Sequence, residues 1–156
     1  MGKMDTAVRT GGNGMDAGNR IKVVLEKGAY APERAHEADA GLDLRSPIKI
    51  PVYPGKSAVI DTGVRVGIPK GYVGMLKSKS GLNVRYGLQS EGVIDSGYTG
   101  TIIVKLCNLG ERAIMVEKGD KISQLVILPI VTPDIEIVSE LEGSERGDNG
   151  FGSTGR

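Results

Sequence analysis

Tryptophan is absent from this chain of 156 residues, phenylalanine and histidine each occur once as Phe151 and His36, and Cys107 is the only thiol. A lone cysteine excludes an internal disulfide and a multi-cysteine metal cage, and a reducing compartment is its simplest reading. A His-based zinc site or a Ser-His-Asp triad would have to be built on His36 alone. That residue lies in the charged run ERAHEAD and is read as a surface histidine. Charge of one sign is also lacking: 20 Lys+Arg against 19 Asp+Glu leave +1. No global field therefore draws the chain to nucleic acid or to an anionic membrane, and any anion site must be local. No run approaches the about 18 apolar residues of a membrane helix, and the N-terminus has no apolar signal core. A soluble, cytoplasmic protein with neither nucleic acid nor membrane as partner is expected.

Glycine, by contrast, is plentiful at 24 residues, which indicates a chain rich in turns and in close backbone approaches. Residues 1–19 carry almost no apolar periodicity and are expected to form a flexible extension. From Ile21 onward, short β-branched segments alternate with turn residues: IKVVL, LDLRSPIKI, AVIDTGVRVGI, YVGML, TIIVKLCNL, RAIMVEK, KISQLVILPI and DIEIV. Breaks at Gly and Pro every roughly 8–12 residues suit a compact all-β barrel or sandwich. SGLNVRYGL, after Lys79, offers one short helix. The β domain is assigned to residues 20–140. Residues 141–156, polar and then glycine-rich, form an arm that stays disordered or orders on a ligand.

Three clusters carry chemistry. GVIDSGYTGTIIVKLCNLG, residues 92–110, sets Asp95 and Tyr98 on a turn between two apolar strands, where loops often carry function. Asp-Ser-Gly is equally a good hairpin turn in which Asp95 bonds its own backbone. LKSKSGL, residues 76–82, supplies cationic charge, hydroxyls and bare N–H groups suited to phosphate, although a plain surface turn has the same composition. RGDNGFGSTGR, at the C-terminus, holds Arg146 for a bidentate anion contact and Phe151 for stacking on something planar, such as a nucleobase. A flexible glycine tail is the plainer reading of that segment.

Five motifs in order, AGLDLRSP (40–47), KSKSGL (77–82), GVIDSGYTG (92–100), GDKISQL (119–125) and RGDNGFGSTG (146–155), give the chain a resemblance to the trimeric dUTPases. The resemblance implies an all-β, jelly-roll-like fold of the β-clip kind with one short helix. It also implies a homotrimer with a swapped C-terminal arm and active sites shared between subunits. The implied activity is hydrolysis of dUTP to dUMP and pyrophosphate by Mg²⁺-assisted attack of water on the α-phosphorus. Asp95 resembles the general base, and Tyr98 the residue that packs under the deoxyribose and excludes a 2′-hydroxyl. Uracil is read by main-chain groups, which points to Gly92 and Ile103 in the hairpin. Lys79, Ser80, Gly81 and Gln124 match phosphate-contacting positions, and Asp43 matches the carboxylate that reaches Mg²⁺ through water. Arg146, Phe151, Gly152, Ser153 and Thr154 match the arm. Lys79 stands where many members carry Arg, so a planar fork becomes a point charge. Two other readings share the fold: a dCTP deaminase-related enzyme, whose proton-carrying Glu position holds Lys105 here, and a non-catalytic nucleotide-sensing scaffold.

Overall fold

The computed structural model describes residues 20–144 and Gly147. Ten strands and one helix follow one another: β1 (Lys22–Leu25), β2 (Gly41–Arg45), β3 (Ile50–Val52), β4 (Ser57–Gly67), β5 (Tyr72–Lys77), α1 (Ser80–Tyr86), β6 (Leu88–Gln89), β7 (Glu91–Ile94), β8 (Thr101–Asn108), β9 (Ile114–Val116) and β10 (Lys121–Pro129). Two four-stranded antiparallel sheets, ordered β1-β4-β8-β6 and β2-β10-β5-β7, are accompanied by the β3-β9 pair. The all-β, jelly-roll-like architecture with one short helix is therefore what the chain adopts. Among the described residues no helix is long and apolar enough to cross a membrane.

Alternation along the strands explains the layering. In β4 the side chains of Ala58, Ile60, Thr62, Val64 and Val66 turn inward, and in β8 those of Ile102, Val104, Leu106 and Asn108 do so. They meet Leu44, Leu76, Ile122 and Leu125 of the other sheet in one core cluster. With almost no aromatic residues available, aliphatic β-branched side chains and leucine fill the interior, which suits a pleated, close-packed surface. Two buried polar side chains of these strands, Thr62 and Asn108, are satisfied by backbone carbonyls. Thr62 Oγ1 donates to the Ile102 carbonyl at 2.8 Å, and Asn108 Nδ2 donates to the carbonyls of Val52 and Arg112 at 2.8 and 2.7 Å.

Helix α1 stops at Gly87, which adopts a left-handed φ of 69° and donates its N–H to Asn83 and Leu82 carbonyls. A Cβ there would lie 2.6 Å from the Gly110 nitrogen, so this close approach of two backbones depends on glycine. The DIEIV segment departs from expectation. Residues 131–138 form no strand, and Ile135 and Ile137 are 93% and 94% exposed. Its alternation is that of a strand, but among the described residues no neighbouring strand offers a ladder, and a strand without a partner gains nothing from that pattern.

Candidate active site

The turn after β7 is not the tip of a paired hairpin. β7 pairs with β5, and β8 pairs with β4 along its length and with β6 only at Cys107 and Asn108. Among the described residues no ladder joins β7 to β8. The β7 edge away from β5 and the first half of the β8 edge away from β4 therefore keep backbone donors and acceptors that no strand uses. The expected hairpin is corrected in this respect: the two strands splay into different sheets. Between them lies a cavity of about 200 Å³ lined by Val93, Ile94, Asp95, Tyr98, Thr101 and Ile103. Asp95, Tyr98 and Ile103, singled out from the sequence, thus share one cavity. Gly92 lies beside it, opposite Leu76 in the β5–β7 register, where a Cβ would come 3.0 Å from the Leu76 Cδ1 atom.

Within the turn, Tyr98 N–H donates to the Asp95 carbonyl at 3.1 Å, and the Tyr98 hydroxyl donates to the Thr101 carbonyl at 2.9 Å. The ring folds back over Gly100, where a Cβ would lie 2.3 Å from the Tyr98 oxygen. Gly100 therefore makes room for the ring rather than for a special φ.

A second group of expected residues gathers on the other four-stranded sheet. Asp43, only 2% exposed although it sits in a strand, is opposite Gln124 in the β2–β10 register. Lys79 Nζ donates to Asp43 Oδ1 at 2.5 Å, and Gln124 Nε2 donates to the same oxygen at 3.4 Å. Lys121 Nζ stands 2.7 Å from Asp43 Oδ2 but off a hydrogen-bonding angle, so that buried oxygen has no aligned donor. Burial by itself pushes the Asp43 carboxyl up, and the ammonium groups of Lys121 and Lys79 outweigh it, leaving the carboxyl below its ordinary value. Nearby, Arg45 hydrogen-bonds Glu33 and, with help from Lys121, holds that carboxyl down as well. Ser80 and Gly81 follow Lys79 at the start of α1, and both are exposed.

Neither Asp43, Lys79 nor Gln124 lines the cavity at Asp95. Arg146, Phe151, Gly152, Ser153 and Thr154 lie outside the described residues. The sequence reading passed over Lys121, although GDKISQL contains it. Its signal lies in pairing: Lys121 faces Arg45 across the ladder, and a register shift between Lys121 and Ser123 turns it toward Asp43.

Mg²⁺ has a defined test here. Among the described residues of one chain no group of three or more His, Cys, Asp or Glu side chains converges. The unpartnered Asp43 Oδ2 atom has the chemistry to accept a hydrogen bond from a water of a hydrated divalent cation. The residues fit a metal held at one remove through water.

The dUTPase family model matches residues 27–155. The deoxyuridine 5'-triphosphate nucleotidohydrolase of Corynebacterium glutamicum is 43% identical over 141 residues, covering 87% of this chain and 95% of its own. Among solved structures, the Staphylococcus bacteriophage 80alpha dUTPase with dUPNHPP superposes with a TM-score of 0.83 at 38% identity, covering 88% of this chain and 99% of that one. A mutant dUTPase from phage phi11 of S. aureus, which coordinates a structural Mg(II) ion, superposes with a TM-score of 0.74 at 35% identity over 80% of this chain and all of that one.

Proposed function

This chain belongs to the dUTPase family and is an enzyme that hydrolyses dUTP, and from that premise we propose how its residues carry the reaction. The product dUMP supplies thymidylate synthesis, and removal of dUTP limits uracil in DNA. The observation that carries the reading is the splayed pair of unpaired edges at β7 and β8, with Asp95 and Tyr98 on the turn that joins them. Uracil presents two carbonyls and an N–H along one edge, and strand edges with free N–H and C=O groups complement it without any side chain. Main-chain groups at Gly92 and Ile103 are the ones assigned to it.

A cavity of about 200 Å³ is smaller than the about 300–1,000 Å³ typical of drug-sized ligands. It suits one planar ring and its sugar face, so the triphosphate must be gripped elsewhere. Lys79, Ser80, Gly81 and Gln124 do this, with Asp43 beside them. A homotrimer reconciles the two groups: the cavity of one subunit faces the Asp43 and Lys79 cluster of another, and the arm, through Arg146, Phe151, Gly152, Ser153 and Thr154, closes over the bound nucleotide.

Asp95 accepts a proton from water as the water oxygen bonds to the α-phosphorus, and the bond from that phosphorus to the bridging oxygen breaks, releasing pyrophosphate. A carboxylate placed within hydrogen-bond reach of the water is the requirement for this role. Tyr98 lies against the deoxyribose, leaving no room for a 2′-hydroxyl. Asp43, through a water, would hold a Mg²⁺ ion, whose chemistry there would be to neutralise charge on the departing pyrophosphate.

Asp95→Asn tests the assignment. With pyrophosphate release followed from dUTP, UTP, dCTP and dTTP, wild-type protein is expected to turn over dUTP alone. The variant is expected to lose about 100-fold or more in kcat while binding dUPNHPP as wild type does. Equal loss of binding and turnover would remove the base role, and ammonia from dCTP would overturn the substrate.

A further inference from the structure

The gap that frees the β7 and β8 edges also deprives the 95–100 turn of ladder rungs of its own, and side chains of β4 take their place. β4 leaves its register with β8 between Asp61 and Arg65. At the break, Gly63 has a φ of 67° and donates its N–H to Asp61 Oδ1 at 2.9 Å. Such a bulge re-aims the side chains on either side of it. Asp61 Oδ2 then accepts from Thr101 Oγ1 at 3.0 Å, and Arg65 Nη1 donates to the Thr99 carbonyl at 3.1 Å. The remaining face of the Arg65 fork is held by Glu26, at the start of the β1–β2 connection, with Nε at 3.2 Å and Nη2 at 2.5 Å from Oε1. Thr101 is thus held through its hydroxyl by Asp61, and its carbonyl in turn receives the Tyr98 hydroxyl.

We propose that Arg65, braced on Glu26, and Asp61, braced on Thr101, are positioning residues that fix the turn so that the Tyr98 ring keeps its place against the sugar. They are thereby determinants of deoxyribonucleotide specificity. They touch neither base nor phosphate and act only through backbone and side-chain atoms of the turn. This rests on the proposed role of Tyr98. A planar fork anchored on one side and donating on the other holds a carbonyl in a fixed direction, which a lysine does with one flexible ammonium and a methionine not at all. Exposure of these pairs keeps their contribution to global stability small, so their effect belongs in selectivity rather than in folding.

The experiment is the ratio of kcat/KM for dUTP over UTP, measured on full-length protein with Mg²⁺ for wild type, Arg65→Met, Arg65→Lys and Glu26→Gln, with thermal unfolding run alongside. Arg65→Met is expected to narrow the ratio about tenfold, the worth of one or two hydrogen bonds to the turn, with Arg65→Lys falling between it and wild type and little change in Tm. In a Tyr98→Ala background, with no ring to position, Arg65→Met is expected to leave the ratio where Tyr98→Ala alone puts it. A folded Arg65→Met with the wild-type ratio, or a further tenfold narrowing in the Tyr98→Ala background, overturns the inference. If Arg65→Met does not fold, Glu26→Gln, which keeps the arginine and loosens its anchor, is read by the same criteria. Wild-type protein that hydrolyses UTP as well as dUTP overturns instead the reading on which the inference stands.

Discussion

Replacing Asp43 by asparagine removes one negative charge without changing side-chain volume, so no cavity cost enters. The carboxylate is 2% exposed, and the side chains of its two cationic neighbours, Lys79 and Lys121, are 22% and 32% exposed. Removing one partner of a fully buried ion pair costs about 3–5 kcal/mol. Here both lysines retain a path to water, and Lys121 keeps Glu33 at 3.8 Å, so a loss of about 2–3 kcal/mol is expected at pH 7. Because the folded-state carboxyl lies below its ordinary value of 3.8, the stability it contributes is complete above that value. It is lost as pH falls through the lower, folded-state value. The gap between wild type and Asp43→Asn should therefore be the same at pH 7 and pH 5 and should shrink only below pH 3.8. Urea unfolding at those pH values and one fixed protomer concentration measures it, since assembly makes apparent stability concentration-dependent. A gap under about 0.5 kcal/mol at pH 7, the range of an ordinary surface substitution, would refute the reasoning. A gap already closing between pH 7 and pH 5 would do the same.

Gly100→Ala places a Cβ on the Tyr98 oxygen, so the ring must swing away and give up its bond to Thr101. The dUTP-to-UTP ratio should fall while Tm stays close to wild type, and an unchanged ratio would mean the ring position does not matter. Gly87→Ala combines a left-handed φ with a 2.6 Å approach to the Gly110 nitrogen. Thermal unfolding should show a loss above the about 1–2 kcal/mol of left-handed backbone alone, and a smaller one would show that the two backbones can part. Truncation before Arg146 should leave assembly intact by light scattering and nearly abolish turnover, whereas an unchanged rate would exclude a role for the arm in closure.

Much of the site was legible because its residues are contiguous in the chain. Asp95 and Tyr98 share one turn, and Lys79, Ser80 and Gly81 stand together where β5 gives way to α1. Other features were not legible, for a common reason: they depend on which strand lies beside which. GVIDSGYTGTIIVKL has the alternation and turn residues of a hairpin, and nothing local says that its two arms belong to different sheets. Lys121 and Asp43 are brought together by the β2–β10 ladder and its register shift. Asp61 and Arg65 look like two solvent-facing residues of a long strand until the bulge at Gly63 turns both toward the start of β8.

The strand-rich class, the short helix after Lys79, the aliphatic core and the family motifs were legible in the chain itself, because alternation, glycine placement and short spacings are properties of adjacent residues. Tertiary pairing alone sends β7 and β8 into different sheets, leaves DIEIV without a ladder among the described residues, and places one buried aspartate between two lysines. Those outcomes depend on non-local pairing, where hydrogen-bonding edges and desolvated charges find partners far along the chain, and no window of neighbouring residues contains that information.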